Sequence, residues 1–171
     1  MGLLNWRKLE ENFGSESGYL GFLRDSPSAA QRLCHVLSNS RFLGDALNKS
    51  VESVTWLGND DSLQPRSRES LDIQTKATLE RNAGNINDFA NSIRAMRRHE
   101  IERIGLAWMS GVIDDEASLA GMTDVYDAAI EASLQWAIQH RINDIQIDEA
   151  PAAIAIIGMG RYGGRGSELQ L

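Results

Sequence analysis

Apolar residues recur at helical spacing through most of this chain. After Ser26-Pro27, the residues Ala30, Leu33, Cys34 and Leu37 share one side of a helix. Proline suits a first helical turn, because the N–H it lacks would have no partner there, and Ser26 stands at the N-cap position. Leu20, Phe22 and Leu23 predict a short helix before it. Phe42, Leu43, Ala46 and Leu47 predict another after it, and Val51, Val54, Trp56 and Leu57 a further short cluster. Residues 1–60 thus read as a run of short helices.

The polar passage NDDSLQPRSRES holds Pro65 and reads as a connection. Residues 67–82 predict a helix with Leu71 and Leu79 as anchors, stopped by Asn82-Ala83-Gly84-Asn85. The strongest pattern follows. Ile86, Phe89, Ile93, Met96, Ile101, Ile104 and Trp108 recur at steps of three to five, which predicts a long amphipathic helix ended by Ser110-Gly111. Thr123-Asp124 reads as the cap of a last helix running to His140, with Val125, Ala129, Ala132 and Trp136 on one side. The expected fold is all-α: a helical bundle over residues 1–150.

Beyond Pro151 the pattern changes. AAIAII is a short apolar run of strand length, and five of the fifteen glycines, at 158, 160, 163, 164 and 166, crowd the end of the chain. A single orphan strand followed by a Gly-rich loop is expected over residues 151–171. Such a loop lets backbone N–H groups approach a phosphate, since no side chain intervenes. Gly158-Met159-Gly160-Arg161-Tyr162-Gly163 also fits the dinucleotide fingerprint. That fold needs a following helix, a second strand and an acidic residue about 20 positions on, and only eight residues follow Gly163.

Composition narrows the classes. The chain has 171 residues, 42% hydrophobic and 24% charged, which suits a domain with its own core and neither a disordered nor a fibrous chain. A net charge of −7 argues against a nucleic-acid binder. Cys34 is the only cysteine, so no disulfide framework or cysteine metal cluster is expected, as suits a reducing compartment. Residues 1–20 carry Arg, Lys and Glu rather than a signal peptide, and no apolar run reaches the roughly 18–20 residues of a membrane span. A cytoplasmic protein is the expectation.

Candidate chemistry outside the glycine loop is sparse. Arg94, Arg97, Arg98, His99 and Arg103 form a basic strip interleaved with Glu100 and Glu102: a solvated face, or a surface for an acidic partner or neighbouring domain. His35 and His140 lack metal-ligand spacing. Cys34 reads as a small core residue, Asp114-Asp115-Glu116 as a helix cap, and the four tryptophans as packing anchors. No Ser-His-Asp or Cys-His set follows from spacing.

The segment IAIIGMGRYGGRG resembles the opening of the transferase domain of glutamine synthetase adenylyltransferases, where a hydrophobic strand leads into G-M-G-[KR]-[LFY]-G-G-R-E. Here Gly166-Ser167 separate Arg165 from Glu168. Upstream, YLGFLRDSPSAAQRLCHVLSNSRFLGDAL, LQPRSRESL and IRAMRRHEIERIGLAWMSGVID resemble the helical region before that domain, in the same order. The resemblance implies a polymerase-β-type nucleotidyltransferase domain beginning at residue 151. It implies ATP and Mg²⁺ as cofactors of the parent enzyme, and AMP transfer to a tyrosine of glutamine synthetase, with removal as the reverse activity. Gly163 and Gly164 would be the phosphate-binding pair, assisted by Arg161. The metal-binding carboxylates would fall beyond Leu171, so no catalytic residue is assigned and the chain alone is expected to be inactive, with no cofactor bound. Glutamine synthetase and a PII-type regulatory protein are the implied partners. The alternative is a regulatory module that senses glutamine or such a regulator.

Overall fold

A computed structural model describes residues 2–13, 17–146 and 152–160. All regular structure among them is α-helical: α1 (Gly2–Phe13), α2 (Ser17–Asp25), α3 (Pro27–Asn39), α4 (Arg41–Leu47), α5 (Val51–Trp56), α6 (Asp60–Leu63), α7 (Arg68–Arg81), α8 (Ile86–Met109) and α9 (Asp115–Ile145). The all-α expectation holds.

Short polar side chains set the beginnings of these helices. Each stands just before a first turn and accepts a backbone N–H that has no partner within the helix. Ser40 Oγ accepts from Leu43 N at 3.1 Å, Asn59 Oδ1 from Asp61 N at 2.9 Å, and Ser67 Oγ from Ser70 N at 3.3 Å. Asp114 Oδ1 does the same for Ala117 N at 2.8 Å, as its reading as a cap requires. Ser26 occupies the N-cap position of α3, yet its side chain makes no cap bond. The end of α8 is a glycine stop. Gly111 has φ +69, Gly111 N reaches Trp108 O at 3.0 Å, and Val112 N reaches back to Ala107 O at 2.9 Å. That pair of bonds is a Schellman motif, and it needs a residue that tolerates the left-handed region.

The helices divide into two compact units, Met1–Pro65 with Glu102–Ser118, and Arg66–Ile101 with Leu119–Leu171. The first unit holds α1–α6 and the C-terminal part of α8. Its core joins Leu9, Leu33, Val36, Leu37, Leu47, Val54, Leu57, Leu63 and Leu106, all essentially solvent-free. Fully burying a side chain of this size stabilises by roughly 1.5–3 kcal/mol. Buried Asn5 is satisfied within this core, donating from Nδ2 to Leu37 O at 2.9 Å. Arg103 lies over the Trp56 ring at 4.2 Å and donates to Ser62 O.

The second unit holds α7, the first two-thirds of α8 and nearly all of α9. Leu71, Phe89, Ile93, Met96, Val125, Ala128, Ala129, Ala132 and Trp136 are its buried apolar residues. Alanines on α9 leave room for the larger residues of α8, the interlocking that dense cores require.

Several expectations are corrected here. The last helix begins at Asp115 and runs to Ile145, so Thr123 lies inside it, buried, with its hydroxyl donating to Leu119 O at 2.9 Å. A threonine that bonds one turn back resembles a cap in sequence but needs no helix start. The polar passage after residue 59 contains the single-turn α6, whose Leu63 is fully buried. Cys34 is exposed rather than in the core, since Leu33 and Leu37 already occupy the inward stripe of α3. Trp108 is 49% exposed, its indole N–H donating to Asp115 Oδ1 at 2.6 Å, so it is not a packing anchor of the kind Trp56 is. The run Ala152–Ile157 forms no strand, because a strand exists by pairing and no described segment offers it an edge.

Candidate functional site

The glycine loop enters the described residues only through Gly160. The phosphate-binding candidates Gly163 and Gly164, with Arg161, lie outside them. Gly160 has φ +67, a conformation that glycine adopts without the steric cost other residues meet. A side chain at that position would strain the turn that opens the loop.

Upstream of Gly160 the chain passes a groove of the second unit. Its walls are the N-terminal part of α8 and the middle of α9, brought together by the Phe89–Trp136 contact, with ring centroids 5.8 Å apart and an interplanar angle of 20°. Trp136 is fixed on two further sides. It stacks on His140 at 4.7 Å, and its indole N–H donates to Asn82 O at 3.3 Å. The groove measures about 560 Å³ and is apolar along its floor, with Ile93, Ala129 and Ile130. Arg94 and Arg97 stand on the same wall, and the Arg97 guanidinium lies 5.9 Å from the Tyr126 ring centre. Ile156, from the segment leading to the glycines, completes the lining.

The basic strip does not survive as one surface. Arg94, Arg97 and Arg98 are exposed, but Glu100 and Glu102 are buried and Arg103 is partly buried in the first unit. Within the second unit, buried Glu100 faces Arg66 at 3.9 Å and His99 at 3.7 Å. Glu100, Glu102 and Arg103 thus serve the interior of the fold, while Arg94, Arg97 and Arg98 remain a solvated face.

A second ionic cluster had no signal in the one-dimensional pattern beyond its Arg68–Asp72 spacing. Arg68, at the start of α7, contacts Asp72 at 2.8 Å, Glu131 at 2.5 Å and Asp127 at 3.5 Å. The Arg68 pKa is raised. Burial works against its charge, but the hydrogen bonds and negative charges of Asp72 and Glu131 outweigh that cost. Arg68 therefore stays cationic and ties α7 to α9. His35, on α3, pairs with Asn39 of its own helix, whose Nδ2 lies 3.3 Å from its Nδ1. Among the described residues no group of His, Cys, Asp and Glu could hold a metal ion, and no helix is long and apolar enough to cross a membrane.

Comparison with known proteins gives this arrangement a context. The family described as glutamate-ammonia ligase adenylyltransferase matches residues 30–170. A bifunctional glutamine synthetase adenylyltransferase/adenylyl-removing enzyme of Bifidobacterium longum (strain DJO10A) is 74% identical over 165 residues, covering 96% of this chain and 15% of the relative. Proteins of the same description from Leifsonia xyli subsp. xyli and Mycobacterium leprae are 38% and 37% identical, over 96% and 95% of this chain, and each is covered to 16%. The chain thus spans about 15% of the length of the curated relatives it matches. No solved structure matches it.

Proposed function

The chain belongs to the glutamate-ammonia ligase adenylyltransferase family, and from that premise we propose that it is one section of an enzyme that transfers AMP from ATP to a tyrosine of glutamine synthetase and removes it again. The observation that carries this reading is the collinear match running from α3 into the glycine loop, residues 30–170. Residues 1–150 supply a helical platform, and residues 151–171 open a nucleotidyltransferase domain of the polymerase-β type. In that domain the apolar run before Gly158 joins the sheet whose edge it lacks here.

The chemistry is an in-line displacement. The tyrosine oxygen bonds the α-phosphorus of ATP, the α–β bridging bond breaks, pyrophosphate leaves, and the hydroxyl proton passes to a base or solvent. Catalysis of such a step is positioning plus charge stabilisation. The backbone turn at Gly160, with φ +67, suits the opening of a phosphate cradle. Gly163 and Gly164 would present backbone N–H groups to the triphosphate, and Arg161 would add a positive charge. Mg²⁺ would neutralise the phosphates and orient the leaving group. Among the described residues no group of His, Cys, Asp and Glu could hold a metal ion, and the resemblance to the family puts the Mg²⁺ carboxylates in the remainder of the full-length enzyme. On this platform reading the 171-residue chain alone is expected to transfer no AMP. A PII-type regulatory partner and a cytoplasmic location belong to the same reading.

The test is transfer of label from α-labelled ATP to glutamine synthetase by the full-length enzyme. Gly163→Val and Gly164→Val should each reduce it on the order of a hundredfold or more, because a side chain displaces the phosphates from their donors. Transfer at the unsubstituted rate by both variants would remove these glycines from the site. Transfer by the 171-residue chain alone would contradict the platform reading.

A further inference from the structure

The segment between Ala152 and Gly160 is short, apolar and largely uncovered. Ile154 and Ile156 are 58% and 55% exposed, whereas Ile157 and Met159 are each 84% exposed. That difference follows the alternation of side chains along an extended chain, in which positions two apart share a side. The side carrying Ile154 and Ile156 is the less exposed one, and Ile156 lines the groove formed by α8 and α9. At about 560 Å³ the groove has room beyond what Ile156 occupies at its edge. Phe89, Ile93, Ala129, Ile130 and Trp136 give an aliphatic side chain an apolar surface, and Ser133 of the same lining donates its hydroxyl to Ala129 O at 2.7 Å.

We propose that this groove is the seat of the segment 152–159 of the same chain, with Ile156 as its anchor, and that seating this segment fixes the position of the glycine loop on the helical platform. The positioning role rests on the reading of that loop as a triphosphate cradle; the seat itself does not. Chain length makes the coupling tight. Gly160 follows Ile156 by four residues, at most about 14 Å of extended backbone. A shift of the anchor therefore reaches the loop with little slack to absorb it. Ile156 is a positioning residue: it touches no reacting atom and acts through the loop. Seating covers the side that carries Ile154 and Ile156 and leaves the backbone edges of the segment to pair in the sheet that the proposed function requires.

The seat is tested first by methyl and indole NMR on the 171-residue chain, with Ile156→Ser and, separately, Ala90→Trp, which fills the groove from α8. Ile156→Ser should shift the signals of Ile93, Ile130 and the Trp136 indole and leave those of Leu33 and Val54 in place. Ala90→Trp should speed amide exchange over residues 153–159. Unmoved groove signals together with unchanged exchange would overturn the seat. A groove that instead responds to protein concentration, as for a second copy, or to an added amphiphile with residues 153–159 unaffected, would overturn it equally.

The positioning role is tested in the full-length enzyme by AMP transfer. Ile156→Ser should raise the KM for ATP about tenfold or more, with a smaller effect on kcat, and Ile156→Leu should restore it. Unchanged transfer by Ile156→Ser, where Gly163→Val abolishes transfer, would overturn the positioning role and leave the loop reading intact. If Gly163→Val also leaves transfer unchanged, the loop reading fails and the positioning role fails with it. The seat is then judged by the NMR result alone.

Discussion

Replacing Trp136 by alanine removes the side chain on which the second unit is organised. The ring is 9% exposed, lies between Phe89 at 5.8 Å and His140 at 4.7 Å, and satisfies Asn82 O at 3.3 Å. Tryptophan-to-alanine truncation at a buried site costs about 3–5 kcal/mol in transfer and cavity terms together. Of that, each aromatic contact contributes roughly 0.5–1.5 kcal/mol. The carbonyl of Asn82 adds about 1 kcal/mol where water cannot replace the indole N–H. The groove opens to solvent on one side, which favours the lower half of the range. Trp136→Ala should therefore cost about 3–4 kcal/mol. Trp136→Phe, which keeps a ring, should cost about half as much. Trp108→Ala is the control: that ring is 49% exposed, and its loss removes chiefly one exposed hydrogen bond to Asp115, about 1 kcal/mol. Urea denaturation with residue-resolved amide exchange reads both units at once. The predicted result is faster exchange at Phe89, Ile93 and Ala129 in Trp136→Ala, well beyond any change at Leu33 and Val54. Equal costs for Trp136→Ala and Trp108→Ala would refute the reasoning, because burial is what separates them.

Three further outcomes follow from particular contacts. Gly111→Ala forces a Cβ into the left-handed region at φ +69 and should lower stability by about 1–2 kcal/mol, read as a reduced urea midpoint with unchanged m. Arg68→Met leaves Asp72, Asp127 and Glu131 without their shared cation. Partial exposure screens these pairs, so a loss of about 1–2 kcal/mol is expected, visible as a lower thermal midpoint that is less salt-sensitive than in the unsubstituted chain. Cys34 should react with a thiol reagent in the native chain about as fast as in urea, because it is exposed. Protection until unfolding would return it to the core.

The parts of the fold legible in sequence are those set by local physics. The spacing of Phe89, Ile93 and Met96 identified α8 because that face of it is buried, and Gly111 marked its end because only glycine takes that turn cheaply. The start of α9 was missed for an equally local reason. Residues 117–122, Ala-Ser-Leu-Ala-Gly-Met, are weakly patterned, so the Thr123-Asp124 pair looked like a cap, although Asp114 performs that task. Nothing local reveals that Arg68 meets Glu131, a contact 63 residues apart that depends on how α7 lies along α9. The exposed positions of Cys34 and Trp108 depend in the same way on which side of each helix its neighbours cover. The family was legible in the collinear resemblance that runs from the helices into the glycine loop, and residues 30–170 match it; the glycine spacing alone fits more than one kind of loop. The groove that Ile156 lines is assembled from two helices and a following segment, and no spacing along the chain announces it.

The intact mass of glutamine synthetase tests adenylyl transfer most directly. Glutamine synthetase is incubated with ATP, Mg²⁺ and the full-length enzyme, beside its Gly164→Val variant, and the modified residue is located by fragmentation. The predicted result is a gain of one adenylyl group per subunit on a tyrosine, lost again under the reverse reaction and absent with the variant. An unmodified subunit with the unsubstituted enzyme, or modification undiminished by Gly164→Val, would contradict the assignment of this glycine loop to the ATP site.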